Sequence, residues 1–122
     1  MSRIGVFFAE GYEEIEALTV VDVARRAQIE VCMISVEEME EVKGSHGIAV
    51  RMDGKLSETD FAGLDMLVLQ GGKKGTEGLE SCEKLMEQLD EFYAAGQPVA
   101  ASCAVPSILG HRGNLKGRRA TR

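Results

Sequence analysis

Residues 98–109 read PVAASCAVPSIL, and the rest of the chain is best understood from this run. Val99, Ala100 and Ala101 form a short apolar stretch that fits a buried strand. Ser102 and Cys103 then make a tight turn, and a helix opens with Ala104, Val105 and Pro106. Proline suits the first turn of a helix, where its missing N–H would have had no intrahelical acceptor. A cysteine on such a strand-to-helix turn faces free backbone N–H groups and the positive end of the helix dipole, which favours thiolate over thiol. The competing reading is a structural cysteine, since cysteine is among the residue types most often buried.

Working outward, residues 65–70 (DMLVLQ) read as a second buried strand, followed by the glycine-rich run GGKKGTEG. That run could cradle an anion with backbone N–H groups, but no Lys-Ser/Thr pair follows as a phosphate loop requires. Residues 81–95 show helical periodicity, with Cys82, Leu85, Met86, Leu89, Phe92 and Tyr93 on one stripe, and Gly96 ends the helix before Pro98. Nearer the N-terminus, residues 4–9 (IGVFFA) form a continuous apolar run, expected of a strand covered on both faces. Gly11 breaks it, and a helix is predicted over 13–27 with Glu16, Val20, Val23, Ala24 and Ala27 on its inward stripe. Glu16 stands out there: a carboxylate on an apolar face must pair or have its pKa raised, or else it serves the helix N-terminus from the first turn. Residues 29–36 (IEVCMISV) give another strand, with Cys32 as core packing. Residues 42–53 suggest a hairpin around Gly44 and Gly47, Asp53-Gly54 a turn, and residues 57–61 one helical turn capped by Ser57.

The 122 residues allow one domain, 1–122, with a real core. Apolar content of 44% and charged content of 28% are those of an ordinary soluble globular protein. No apolar run is long enough to span a membrane, and the opening MSRIGVFF has no signal-peptide pattern. The expectation is a cytoplasmic protein without a membrane partner. Three cysteines without metal-ligand spacing point to reduced thiols, and neither a metal nor an organic cofactor is expected. A net charge of −6 argues against specific nucleic-acid binding. The acids are nevertheless absent after Glu91, where Arg112, Lys116, Arg118, Arg119 and Arg122 collect. Glu37, Glu38, Glu40 and Glu41 read as a solvated loop.

Strands alternating with helices imply an α/β fold, a mostly parallel sheet with helices on both faces. Sites in such sheets form beyond the carboxyl ends of the strands. The loop before Glu16, the Gly71-Gly72 turn and Cys103 all belong to such ends, so chain topology gathers them on one rim.

The segments AEGYEEIEALTVVDVARRA, VLQGGKKG and AASCAVPSIL, in this order and spacing, resemble the ThiJ/PfpI superfamily, whose members include a Parkinsonism-associated protein deglycase. The resemblance runs through essentially the whole chain. It implies a flavodoxin-like sandwich, usually a homodimer, with a cysteine on a nucleophile elbow. Carried over by position, Cys103 is the nucleophile and the oxidisable thiol, and Glu16 is the protonated glutamate beside its sulfur. The backbone N–H groups of Gly72 and Ala104 form the oxyanion hole. His46 lies in the GSHG turn, where the family places its dimer contact, so it either approaches a partner's site or is a surface turn histidine. Members of the family usually run on for about another third of the domain, often carrying a histidine near the cysteine, so the chain reads as C-terminally shortened. His111 does not substitute: at 1.5 Å per residue it lies ~12 Å along a helix from Cys103.

Three functions follow from the resemblance. The first is a cysteine-dependent enzyme acting on a small aldehyde or glycated substrate, a glutathione-independent glyoxalase or a deglycase. The second is a non-enzymatic redox sensor or stress-protective protein. Intracellular peptidase activity and the thiamine-biosynthesis label carried by some ThiJ proteins come third, the former without a well-placed histidine and the latter without a residue pattern of its own.

Overall fold

A computed structural model describes residues 3–101 of the chain. Seven strands and three helices follow one another: β1 (Arg3–Phe8), α1 (Glu14–Arg26), β2 (Glu30–Ser35), β3 (Glu41–Lys43), β4 (Ala49–Arg51), β5 (Gly54–Lys55), β6 (Met66–Leu69), α2 (Lys73–Glu80), α3 (Glu83–Ala94) and β7 (Val99–Ala101). The main sheet has the order β5-β2-β1-β6-β7, every pair parallel. The expected α/β architecture is therefore present. β3 and β4 form a separate antiparallel ribbon with Val42 opposite Val50.

Alternation along the strands divides the core in two. Phe7, Ile34, Leu67 and Leu69 point to one face, where Leu79 of α2 and Leu85, Met86, Leu89 and Phe92 of α3 cover them. Val6, Phe8, Met33 and Val68 point to the other, where Ala17 and Val21 of α1 and Val42 of the ribbon cover them. Helices thus close both faces, and β1, in the middle, is apolar at every inner position because neither of its faces meets water. Register fixes the geometry that matters for a site. Phe7 lies beside Leu69, and Leu69 beside Ala101, so β1, β6 and β7 end level with one another.

Two sequence expectations change. The inward stripe of α1 is Glu14, Ala17, Val21 and, half-buried, Ala24, whereas Val20 and Val23 are exposed at 37% and 59% and Ala27 is exposed as well. The helix carries apolar residues on two sides, so periodicity alone permits either phase. The predicted phase was the outward one. The glycine-rich run after β6 is not a loop either. It is helix α2, whose Gly75 and Gly78 are needed for close packing: a Cβ at 75 would meet Tyr12 Cα at 2.9 Å and one at 78 would meet Ala9 Cβ at 2.8 Å. Glycine is a poor helix former in isolation, and here tertiary contact overrides that propensity. The turn expected at 57–61 becomes two 3₁₀ turns, Leu56–Glu58 and Phe61–Gly63. The cap belongs to Asp60, whose carboxylate accepts from Ala62 N at 3.2 Å.

Candidate active-site rim

The carboxyl ends of β1 and β6 are locked to each other by backbone. After β1 the chain turns through residues 9–13, where Tyr12 N donates to Ala9 O, and Glu13 N reaches Gly71 O at 3.3 Å. Gly72 is the N-cap of α2 with φ +91, a conformation that favours glycine, and a Cβ there would stand 2.7 Å from Gly11 O. Thr76 N then donates to Gly72 O at 2.8 Å and closes the first turn of α2. The start of α1, the Gly71-Gly72 turn and the end of β7 are therefore neighbours, as the parallel topology requires.

Glu16 sits half-buried in the first turn of α1, a favourable place for an acid at a helix N-terminus. It does not lie at the centre of a buried stripe, which corrects the sequence reading. Gly72 is at the rim as expected. Cys103 and Ala104, together with His111 and the basic residues from Arg112 onward, lie outside the described residues. Cys32 and Cys82 are half-buried and pack against the α2/α3 core, as the sequence suggested. Burial pushes the Cys32 thiol up, helped by Asp53, which is the opposite of what a nucleophile needs.

The most deeply held acid is one the sequence reading did not single out. Glu14 is 3% exposed. Its Oε2 accepts from His46 N at 2.8 Å and Ile48 N at 3.4 Å, while Oε1 accepts from Ser45 Oγ at 3.3 Å and lies 2.9 Å from His46 Nδ1. Burial by itself would raise its pKa. The hydrogen bonds from the His46 side chain and from backbone N–H groups outweigh burial and hold it at about 2. The bond to Glu14 in turn raises His46, with the nearby charge of Glu13 adding to the effect. His46 is a turn histidine with an exposed side chain, and it is tied to its own chain's Glu14. The signal for Glu14 was present at spacings of three and seven to Ala17 and Val21, the inward phase of α1.

Several buried polar side-chain atoms near the rim have no hydrogen-bond partner among the described residues: Tyr12 Oη, both amide atoms of Gln70, and Thr76 Oγ1. Gln70 follows β6 on the same face as Val68, next to Phe8 in register, and the Phe8 ring meets the Tyr12 ring edge-on at 4.8 Å. Burial and the Glu14 charge lift the Tyr12 phenol to about 12, so it stays a neutral donor.

Comparison with known proteins agrees with this architecture. Residues 2–122 match the model of the DJ-1/PfpI family. The chain belongs to that family. It is 38% identical to the protein DJ-1 homolog A of Arabidopsis thaliana over 98% of this chain and 31% of that protein. It is 31% identical to a deglycase of Thermococcus kodakarensis over 98% of this chain and 70% of the relative. Among solved structures, an alanine-for-cysteine mutant of a DJ-1 superfamily protein from Salmonella typhimurium superposes with a TM-score of 0.91 at 33% identity, covering 98% of this chain and 65% of that one. Oxidized DJ-1 of Toxoplasma gondii gives a TM-score of 0.88 at 35% identity, covering 96% and 64%. The fold is thus the DJ-1 flavodoxin-like one. The chain spans about a third or less of its two Arabidopsis relatives and about two thirds of these structures.

Proposed function

We propose that this DJ-1/PfpI domain is a cysteine-dependent enzyme acting on small reactive carbonyls, of the glyoxalase or deglycase kind. The observation that carries the reading is Gly72. It is held left-handed at the start of α2 against the Gly11–Glu13 backbone, beside the end of the strand that leads into Cys103. A backbone N–H fixed in that way is the type of donor an oxyanion needs. The deglycases among the relatives, at 31–33% identity, support the substrate class.

In this reading the Cys103 thiolate adds to the aldehyde carbon of a 2-oxoaldehyde. A C–S bond forms and the oxygen becomes an alkoxide held by the N–H groups of Gly72 and Ala104. Glu16 protonates that oxygen and carries the proton from C1 to C2 through an enediol, which leaves a thioester. Water then cleaves the C–S bond to release a 2-hydroxy acid and return the thiol. Cys103→Ser abolishes formation of the hydroxy acid from methylglyoxal while leaving the melting temperature within a few degrees. Turnover equal to the parent chain would sink the assignment. Residue-resolved alkylation across pH supplies the independent check, with Cys103 labelling well below the free-thiol pKa of about 8.5 and Cys32 lagging.

A redox-sensing role is the second reading, favoured by the likeness to an oxidized DJ-1. Mild peroxide would then add two oxygens to Cys103 as a sulfinic acid and spare Cys32 and Cys82. Exposed apolar side chains of α1 and of the turn after β3 support a homodimer in either case. Ile15 is 77% exposed and Val23 59%, with Ile48 of the neighbouring turn at 52%, an apolar surface of the kind that marks an interface. Val23→Asp shifts the sedimentation of the protein from dimer to monomer. A dimer that persists unchanged places the interface elsewhere. No helix among the described residues is long and apolar enough to cross a membrane, and a cytoplasmic location remains part of this proposal.

A further inference from the structure

We propose that Glu13, Glu14 and His46 form a binding site for a divalent transition-metal ion of the Zn²⁺ type, made without any thiol and independent of the cysteine chemistry above. His46 Nδ1 lies 2.9 Å from Glu14 Oε1 and 3.7 Å from Glu13 Oε1, and one ligand atom from each residue falls within 4.8 Å of the others. Around an ion bound at about 2.0–2.1 Å, tetrahedral ligand atoms sit about 3.4 Å apart. The distances from His46 Nδ1 to the two carboxylates, 2.9 and 3.7 Å, bracket that spacing.

Two features of the fold create the convergence. Adjacent residues on a helix point about 100° apart, so consecutive glutamates do not normally share a partner. Glu13, however, is the N-cap of α1 with extended backbone (φ −85, ψ 110), and its side chain makes no capping hydrogen bond. It is turned instead toward the same imidazole that Glu14 faces. The second feature is the outer shell around Glu14. The N–H groups of His46 and Ile48 hold Oε2, and the Ser45 hydroxyl supports Oε1, so the carboxylate is fixed with Oε1 directed at the imidazole. Any side chain at Gly44 would overlap that carboxylate, so the turn closes on it from behind as well. Hydrogen bonds that orient a ligand are characteristic of built metal sites.

The charge and access also fit. Two carboxylates around a neutral imidazole leave an excess negative charge that a dication offsets. The His46 and Glu13 side chains are 66% and 29% exposed while that of Glu14 is 4%, so the cluster is anchored on its protein side and open to water ligands on the other. Binding takes the Nδ1 lone pair. The proton that Nδ1 donates to Glu14 in the metal-free chain therefore leaves for solvent when the ring is charged, or moves to Nε2 when it is neutral. The ligands are 32 or 33 positions apart on two elements, a spacing that no compact sequence motif reports.

The test is calorimetric titration of the full chain with Zn²⁺ after removal of bound metal by a chelator, paired with the visible spectrum of the Co²⁺-loaded protein. One ion per chain binds, His46→Ala and Glu13→Gln each weaken it about tenfold or more, and Co²⁺ gives d–d bands without a near-ultraviolet thiolate band. Glu13→Gln and His46→Ala change exposed groups, and far-ultraviolet dichroism verifies that each variant is folded. No binding, affinity unchanged in either variant, or a thiolate band removed by alkylating the cysteines overturns the proposal. Loss of hydroxy-acid formation in Cys103→Ser bears on none of these readouts, so the two assignments fail separately.

Discussion

The segment 11–14 is held by two partners made of different materials. Toward β6 it meets Gly71, Gly72 and Gly75, and the contact is backbone on backbone: Glu13 N to Gly71 O, with Gly11 O where any Cβ at 72 would have to go. Toward the β3–β4 ribbon, backbone bonds from Gly11 N to Lys43 O and from Ser45 N to Tyr12 O share the work with one ionised side chain, the buried carboxylate of Glu14. Removing side chains fixes the first junction through backbone shape, with the exposed Lys74–Glu10 pair at its edge. The second is fixed by charge, and it responds to pH. The rim where we place the oxyanion hole is built on the backbone junction, and the turn that carries His46 hangs on the other.

The largest effect expected is on the first junction. Gly72→Ala forces a non-glycine residue to φ +91 and pushes a methyl group to 2.7 Å from Gly11 O and 3.1 Å from Glu13 N. Backbone strain and overpacking together cost about 2–5 kcal/mol, read as a lower urea midpoint at unchanged slope. The loss is the same at pH 5 and pH 8, because the contact that the methyl group disrupts is backbone on backbone. A loss below about 1 kcal/mol would mean that the 9–13 segment yields, and the shape-built junction would lose its distinction from the other.

Next comes Glu14→Gln, which keeps the size and removes the charge. The folded pKa of about 2 lies below the ordinary 4.5, so ionised Glu14 stabilises the fold in full above about pH 4.5, and that contribution is lost as the pH falls toward 2. In chelator, the variant melts below the parent at pH 6, the gap narrows as the solution is acidified, and the parent's acid limb is missing from the variant. A gap that stays constant from pH 6 to pH 2 would show that Glu14 acts as a neutral hydrogen-bonding group.

These two junctions also separate what the sequence makes legible from what it does not. The parallel sheet was legible because β1, β6 and β7 are short apolar runs ended by glycine or by a turn, and buried strands leave few other options. Gly72 was legible as a rim residue for the same reason. α2 was not, because its glycines break the helical propensity pattern, and only the contacts of Gly75 with Tyr12 and Gly78 with Ala9 justify them. Glu14 was hidden by a helix with two apolar sides. Val20, Val23 and Ala27 form a hydrophobic stripe as persuasive as Ala17 and Val21, and periodicity does not say which stripe faces the sheet. Glu16 shares the period of Val20 and Val23 yet is half-buried in the first turn of α1. His46 was legible as a turn residue. Its partner was not, since a contact across 32 positions has no local signature.

The smallest effect, and the one that resolves the charge-built junction further, belongs to His46. Its folded pKa is raised by the bond to Glu14 and the charge of Glu13, so its contribution is fully present below the ordinary value of 6.5 and disappears as the pH rises through the folded value. Combined with the acid limb of Glu14, the pair's contribution to stability is full only between about pH 4.5 and 6.5, the ordinary values from which the two groups depart. His46→Ala in chelator therefore melts below the parent at pH 5.5 and converges on it at pH 9, while the backbone N–H groups of residues 46 and 48 still hold the carboxylate. In the Glu14→Gln background the same substitution leaves a smaller pH-dependent gap, because the imidazolium keeps only the Glu13 charge. If the gap persisted undiminished at pH 9, the imidazole would be acting through packing and a neutral hydrogen bond. The ribbon would then be tied to α1 as insensitively as Gly72 is tied to Gly11.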